Sequence, residues 1–499
     1  MINRTMLCRG AISCYLLAAL MLATLPVFSD AGPAAPARPA DVSDLSDDGR
    51  WDDGFGFGLQ ESDYARVNSI AVVGNNVYVG GRFGAAGNVP ANCVARWDGS
   101  SWSSLNGGIG LCQGALCFPT VYTLAVKGGE IYAGGSFASV GGVPANRVAK
   151  WDGNKWSAIG GGIQICDPGY DCVSVTSMAA TSTDVYAVGT IISDISRGGT
   201  ATLDGITKWN GNNWDILGRV SGAGQTLSLY TIETTGPRAY VGGNFTLAGV
   251  IGANNIAAWD GSNWIALGAG VQGCADEGRW YGCAPFVYTI ATHGEDVYAG
   301  GNFTSAGNKP ANFIAKWDGN DWTPLGEGAN GPVRKIAING KYIYAGGSFT
   351  SIGGVKANGI ARFDGSEWSA LGSGVDGIVD AIAFKDNEVY VGGFFGKAGG
   401  KTIHNFARWI APEVAPPAPA LPLIARVSIS HKRLIVTGER FDLGAVIHLN
   451  GERQKTQNDE QNPTMTLIAK KSGKKVANGD RIQVENSDGK LSPEFIVVR

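Results

Sequence analysis

Histidine is scarce in this sequence: His293, His404, His431 and His448 are all there are in 499 residues. So few imidazoles, scattered over the second half of the chain, give little material for a His-rich metal centre or a histidine proton relay. The chain also has no nucleophile-elbow motif, no phosphate-binding glycine loop and no metal-binding helix motif, which excludes the enzyme classes those motifs announce. Charged residues make up only 17 % and the net charge is −3, which argues against a chain-wide electrostatic grip on nucleic acid. The balance is uneven but not extreme, with a net +4 over residues 421–499 and a net −7 over the preceding 420. Past the apolar run 11–28, no stretch is long and apolar enough to span a membrane.

That run reads as a targeting segment. Arg4 and Arg9 precede it, and Ser29-Asp30-Ala31 supplies the small residues of a cleavage site. The expectation is a signal peptide over 1–31, with a retained anchor as the alternative that Pro26 and the small-residue exit disfavour, and a secreted or cell-surface protein. Residues 32–50, rich in Ala, Pro and Asp, are expected to be disordered. Of nine cysteines, Cys8 and Cys14 leave with the signal. Six of the other seven form close pairs: Cys112 with Cys117, Cys166 with Cys172, and Cys274 with Cys283. Each pair falls between one repeat and the next, so three local disulfides formed in an oxidising compartment are expected. Cys93 is left over and is expected to be buried.

What the sequence has in abundance is glycine, 75 residues of it, and the glycines are periodic. The stretch 290–322 holds three alternating apolar runs, the second ending in Tyr298-Ala299-Gly300-Gly301 and the third in Trp317-Asp318-Gly319, and Trp322 opens a fourth. Four short strands with tight turns make one blade-sized unit. Such units begin near Val67, Val121, Val175, Leu229, Val287, Val333 and Val379. Their third strands end at Trp97, Trp151, Trp209, Trp259, Trp317, Phe363 and Trp409, spaced 54, 58, 50, 58, 46 and 46 residues apart. The last unit stops after its third strand, and the stretch 51–59 is the unassigned candidate for its fourth. The fold class expected is therefore all-β: a seven-bladed β-propeller over 51–411, closed by an N-terminal strand. The paired glycines are expected to admit an aromatic from the next strand or blade. A Pro-rich linker follows at 412–422. Residues 423–499 are expected to form an Ig-like β-sandwich, with strands at 424–430, 433–437, 446–449, 464–469, 481–485 and 494–498.

The run Tyr298…Gly301…Trp317…Trp322 resembles the repeat of kelch-type propellers, over about 360 residues of this chain. The third unit departs from that pattern at Tyr186-Ala187-Val188-Gly189, read as lacking the second glycine, and at Asn210 in place of Asp, so an irregular blade is expected there. The C-terminal V-T-G-E-R-F, L-N-G and V-x-N-x-D-G-x-x-S patterns resemble IPT/TIG immunoglobulin-like domains, which in bacteria serve as spacers or binding appendages. The gross architecture is similar to the galactose-oxidase type of copper radical oxidase. No motif of this chain accepts that family's His, Tyr and Cys ligands.

Candidate ligand-binding residues come from the inter-blade loops: Phe118, Tyr170, Trp280 and Tyr281, with Asp167, Asp171, Asp276 and Glu277 beside them. Aromatics flanked by carboxylates suit carbohydrate or peptide recognition; the same rings could instead plug the loop cores. On the innermost strands the fifth position is Ala in six units and Glu233 in the other. A lone carboxylate near the axis could bind a cation or act as a base, or simply be solvated. Asp98, Asp152, Asp260, Asp318 and Asp364 recur in turns and are expected to be structural. The sequons at Asn244 and Asn302 lie inside core strands and are discounted. Lys470, Lys471, Lys474 and Lys475 flank Gly473 in an expected hairpin, either as a grip for an acidic polymer or as a solvated turn. No catalytic residue, metal ligand or cofactor is expected, with calcium and copper left open. The reading is a secreted, non-catalytic protein that binds an extracellular glycan or protein through a disulfide-braced propeller rim. An extracellular carbohydrate-active enzyme or oxidase at the channel mouth is the alternative, and a structural surface component is a third.

Overall fold

The computed structural model describes residues 45–52, 54–55, 59–60, 65–110, 118–163, 173–191, 205–222, 228–274, 284–412, 421–470 and 472–498. Among them the chain divides into two compact parts, one of residues up to 385 with 390–409, the other of 386–389 with 410–499.

The first part is all-β and propeller-like. A four-stranded antiparallel pattern recurs, as in Phe286–His293, Asp296–Asn302, Ile314–Trp317 and Trp322–Pro324, which pair in that order. The alternation and the turn glycines make it: Val, Ile and Tyr fill both faces of the second strand, and Asp-Gly reverses the chain between the third and fourth. The first strands of the successive sheets are Arg66–Val73, Thr120–Lys127, Val173–Ala180, Ser228–Thr235, Phe286–His293, Val333–Asn339 and Ile378–Lys385. Each lies beside the first strand of the next sheet, and the last lies beside the first.

The two ends of the array meet through the N-terminal stretch. Trp51–Asp52 pairs antiparallel with Phe406–Ile410, Trp51 facing Trp409 and Asp52 facing Arg408, and so supplies the outer strand that the last sheet lacks. Leu59–Gln60 then pairs with Ala85–Ala86 of the first sheet. This is the role expected for 51–59. A repeated hydrogen bond shows how good the substitution is. The outer-strand tryptophans Trp156, Trp322 and Trp368 donate their indole N–H to the carbonyls of Leu105, Leu267 and Leu325 in the preceding sheet. Trp51 does the same to Leu371, at 3.0 Å. Trp102, in the first sheet, finds its acceptor in Phe55 of the N-terminal stretch.

The glycine pair works differently from the expectation. A Cβ on the first glycine would meet the valine that opens the next sheet's first strand: Gly80 meets Val121 at 2.6 Å, Gly134 meets Val175 at 2.6 Å, and Gly300 meets Val333 at 2.7 Å. Gly392 of the last sheet meets Val67 of the first. A Cβ on the second glycine would overlap the backbone carbonyl of its own sheet's first strand, Arg66 for Gly81 and Phe286 for Gly301. The approach is by backbone and valine, not by an aromatic. This corrects the reading of the third unit too. Gly189 stands at the second position, against the Ser174 carbonyl, and it is the first glycine that Val188 replaces. That sheet is irregular as expected: its outer strand Trp214–Ser221 carries a register shift, and Thr190 pairs onward with Ser228 of the next sheet. The indole N–H of Trp264, which should reach back to it, lies against Gly218 and has no acceptor among the described residues.

The second part holds two four-stranded sheets. One orders Leu423–Ser430, Arg433–Glu439, Thr466–Ala469 and Thr456–Asn458; the other orders Glu452–Arg453, Val446–Leu449, Arg481–Glu485 and Phe495–Ile496. Leu434, Val436, Phe441, Ile447, Leu467 and Val484 from both form one core. The strands Glu452–Arg453 and Thr456–Asn458 were not among the expected ones. Around Gly473 the chain makes a short 3-10 turn, Ser472–Lys474, in place of the expected hairpin, and Gly473 itself is buried.

Candidate functional site

The site is built from one irregularity repeated around the array. Each first strand for which the register is given slips by one residue just after its opening Val or Leu. The slips fall between Val67 and Ser69, Val121 and Thr123, Val175 and Ser177, Leu229 and Thr231, Val287 and Thr289, and Val333 and Lys335. A bulge leaves the extra residue unpaired and re-aims its side chain. The residues in that position are Asn68, Tyr122, Thr176, Tyr230, Tyr288 and Arg334, and Asp380 is the corresponding residue of the last sheet's first strand. This position varies, although it is flanked by a near-invariant Val and mostly by Ser or Thr.

Asn68 and Thr176 stitch neighbouring sheets. Asn68 donates to the Val121 carbonyl at 2.9 Å, and Thr176 donates to the Leu229 carbonyl. The residue after the bulge adds a second stitch. The hydroxyls of Ser69, Thr123, Ser177 and Thr289 accept the backbone N–H of Leu124, Met178, Ile232 and Ile336 from the next sheet, at 3.0–3.2 Å. Lys335 and Ala381 hold this position in the last two sheets, and neither can accept.

Past Thr176 the side chains at this position form a continuous arc. Tyr230 meets Phe286 and Tyr288 edge to face at 5.6 and 5.4 Å. Phe286 stacks on Tyr288, and the Arg334 guanidinium lies 5.3 Å from the centre of the Tyr288 ring. Next comes Asp380, 3.9 Å from Arg334 but held bidentate by Arg66 of the first sheet at 2.5 and 2.6 Å. The Tyr288 hydroxyl is pushed up by burial, partly offset by Arg334.

Beside the arc stand two charged groups on the first strands. Burial pushes the Glu233 carboxyl up, with Lys335 as the opposing influence, and burial pushes the Lys335 amine down, opposed by Glu233. Each keeps some exposed surface while protein surrounds it elsewhere. They interact through charge across the intervening strand, with no direct hydrogen bond between them among the described residues.

Of the residues singled out from the sequence as ligand-binding, Phe118 and Glu233 fall within the described part. Phe118 is 61 % exposed, and the Arg82 guanidinium lies over its ring at 4.1 Å. Tyr170, Asp276, Glu277, Trp280 and Tyr281 lie outside the described residues, as do Asp167 and Asp171. The expected disulfides fall mostly outside as well. Cys274 is described, and it is disulfide-bonded. Cys112, Cys117, Cys166, Cys172 and Cys283 all lie outside the described residues, and so do the pairings expected of Cys112 with Cys117 and of Cys166 with Cys172. Sequence reasoning missed Tyr230, Tyr288, Arg334, Asp380 and Lys335. The signal was the varying column between the near-constant Val or Leu and the Ser or Thr that usually follows.

Other candidates resolve into structure. Asp98, Asp152, Asp260, Asp318 and Asp364 each accept the N–H groups two and three residues on, and Asn210 does the same in the third sheet. Those bonds hold the Asp364 carboxyl down at about 2. A cleft of about 310 Å³ lined by His293, Tyr298, Lys316 and Phe363 lies at the turn end of the first strands, away from the arc. Its Tyr298–Asp296–Lys316 cluster recurs as Tyr132–Glu130–Lys150, which marks it as part of the repeat. No three His, Cys, Asp or Glu side chains converge into a metal site among the described residues. Cys93 is buried, and desolvation pushes its thiol up to about 11. Cys93 is therefore expected to ignore a thiol reagent at pH 8 in the folded protein and to react on unfolding, as a colorimetric thiol titration would show. Fast labelling of the folded protein would contradict that burial.

Residues 339–366 match the model of a β-propeller domain of unknown function. No curated protein matches the chain. Among solved structures, the chain is similar to the computationally designed Ika8 protein at 11 % identity and a TM-score of 0.38, with 83 % of this chain and 99 % of that one covered. It is also similar to the acylaminoacyl peptidase of Pyrococcus horikoshii at 12 % identity and a TM-score of 0.29, covering 85 % of this chain and 58 % of the peptidase.

Proposed function

We propose that this is an exported, non-catalytic binding protein that takes an extracellular glycan or protein on the face where the first strands begin. In this reading the array is a seven-bladed, kelch-like propeller and the C-terminal part is an IPT/TIG-like spacer. Local disulfides of Cys112 with Cys117, Cys166 with Cys172, and Cys274 with Cys283 brace the loops of the same rim. The observation that carries the proposal is the arc from Tyr230 through Tyr288 and Arg334 to Asp380 and Arg66. Aromatic rings and a forked cation on a rigid strand scaffold are what recognition surfaces are made of, and here they run over four adjacent first strands from Tyr230 to Asp380.

Glycan and peptide arrays probed with the mature chain test this. Tyr288→Ala is expected to weaken the selected ligand at least tenfold, while Ile216→Ala, on an exposed outer strand, leaves it unchanged. Binding that survives Tyr288→Ala would move the site elsewhere. A second reading, an extracellular carbohydrate-active enzyme, is favoured by the Glu233–Lys335 pair beside the arc. Turnover of the bound glycan that vanishes in Glu233→Gln would replace the first reading with this one.

A further inference from the structure

The charges of the arc do not cancel locally, and the imbalance selects a ligand. Both Asp380 oxygens are taken by the Arg66 fork at 2.5 and 2.6 Å. Arg334 is left 3.9 Å from that carboxylate, beyond hydrogen-bond distance, with 32 % of its side chain exposed. A guanidinium presents a planar fork suited to a carboxylate, and a part-exposed one that no carboxylate holds at hydrogen-bond distance is poised to take another. Lys335, the next residue, occupies the position where four other sheets place a stitching hydroxyl. It gives up that stitch in exchange for an amine near the axis. Among the described residues its charged counterpart is Glu233, without a direct bond. Three cations therefore face two acids, one of them already neutralised by Arg66, in a part of the chain whose net charge is −7. Alongside, the rings of Tyr230 and Tyr288 offer apolar surface with a polar tip.

We propose that the arc binds the carboxylate-bearing pyranose units of an acidic polysaccharide. Arg334 and Lys335 take the carboxylate, and Tyr230 and Tyr288 pack against the C–H face of the sugar ring. The inference rests on the glycan form of the binding reading above. An acidic peptide would offer the same carboxylate but not the flat apolar ring that the two tyrosines flank.

The test compares polygalacturonate oligomers with their methyl-esterified counterparts by calorimetry on the mature chain. Esterification removes the charge while keeping the ring, and it leaves the protein untouched, so misfolding cannot mimic the result. The expected outcome is binding of the acid form, a loss of at least tenfold on esterification, a similar loss in Arg334→Gln and in Lys335→Met, and weakening as salt rises. Equal binding of acid and ester, lost in Tyr288→Ala, would overturn the carboxylate inference and leave glycan binding standing. Binding of an acidic peptide in place of either oligomer would overturn the inference and keep only the protein form of the reading. No binding of oligomers or peptides would overturn the inference, and blank arrays would then take the binding reading with it.

Discussion

Trp51→Ala is expected to destabilise the repeat array by about 3–5 kcal/mol, the range for truncating a fully buried tryptophan. Trp51 is completely buried, it donates to the Leu371 carbonyl at 3.0 Å, and it packs over Gly399. The informative comparison is Trp368→Ala, which removes the equivalent indole and the equivalent hydrogen bond from the middle of the array. The local losses should be alike. Only Trp51 also anchors the strand that joins the last sheet to the first, backed by the Asp52–Arg408 ion pair and the Lys401 amine on the Trp51 carbonyl. Trp51→Ala should therefore unfold at lower urea than Trp368→Ala. It should also release a fragment cut near the N-terminal stretch under limited proteolysis, where Trp368→Ala stays intact. Equal midpoints and equal protease patterns would mean that the pairing of Trp51 with Trp409 contributes no more than any other outer strand.

The joining strand could be read from the sequence because an absence announced it. A unit ending at Trp409 without a fourth strand needs one, and a single stretch with a tryptophan at its head was unused. The sheets themselves were legible for a similar reason: strand periodicity, Tyr-x-Gly-Gly and Asp-Gly are local chemistry, and local chemistry repeats. What could not be read was which atoms approach which. A glycine in a strand says that something comes close, but not that it is the Phe286 carbonyl for one and the Val333 methyl for its neighbour. The arc was hidden for the opposite reason. Tyr230 and Tyr288 share a residue type with Tyr122 but not with Asn68, Thr176, Arg334 or Asp380, so a search for the repeat passes over the column as noise; strand pairing shows that they occupy one equivalent place. Glu233 was visible because it interrupted a column of alanines, whereas Lys335 interrupted a column of hydroxyls whose role in stitching the sheets is a matter of backbone geometry.

The glycine geometry sets the second large effect. Gly301→Ala is expected to cost more than about 3 kcal/mol, above the usual range for overpacking, because the added Cβ meets backbone and not a side chain that can turn away. The Phe286 carbonyl belongs to the first strand at its bulge, and relief would mean prising apart the pairing of Val287 with Gly301. Gly300→Ala should cost less. Its Cβ would lie 2.7 Å from a Val333 methyl and 2.8 Å from the Thr289 methyl, and side chains can shift by part of an ångström. Gly252→Ala, where nothing lies within 4 Å, should be nearly silent. Thermal unfolding of the three variants should give that order. The third sheet already bears the argument out in part: Val188 fills the first glycine position there and shares a core with Leu229, which stands in place of the usual valine, while Gly189 keeps the second against the Ser174 carbonyl. The array tolerates a side chain where its neighbour is a side chain, and keeps glycine where its neighbour is the backbone. If Gly301→Ala melted no earlier than Gly300→Ala, the close approach of the two backbones would not be what fixes that glycine.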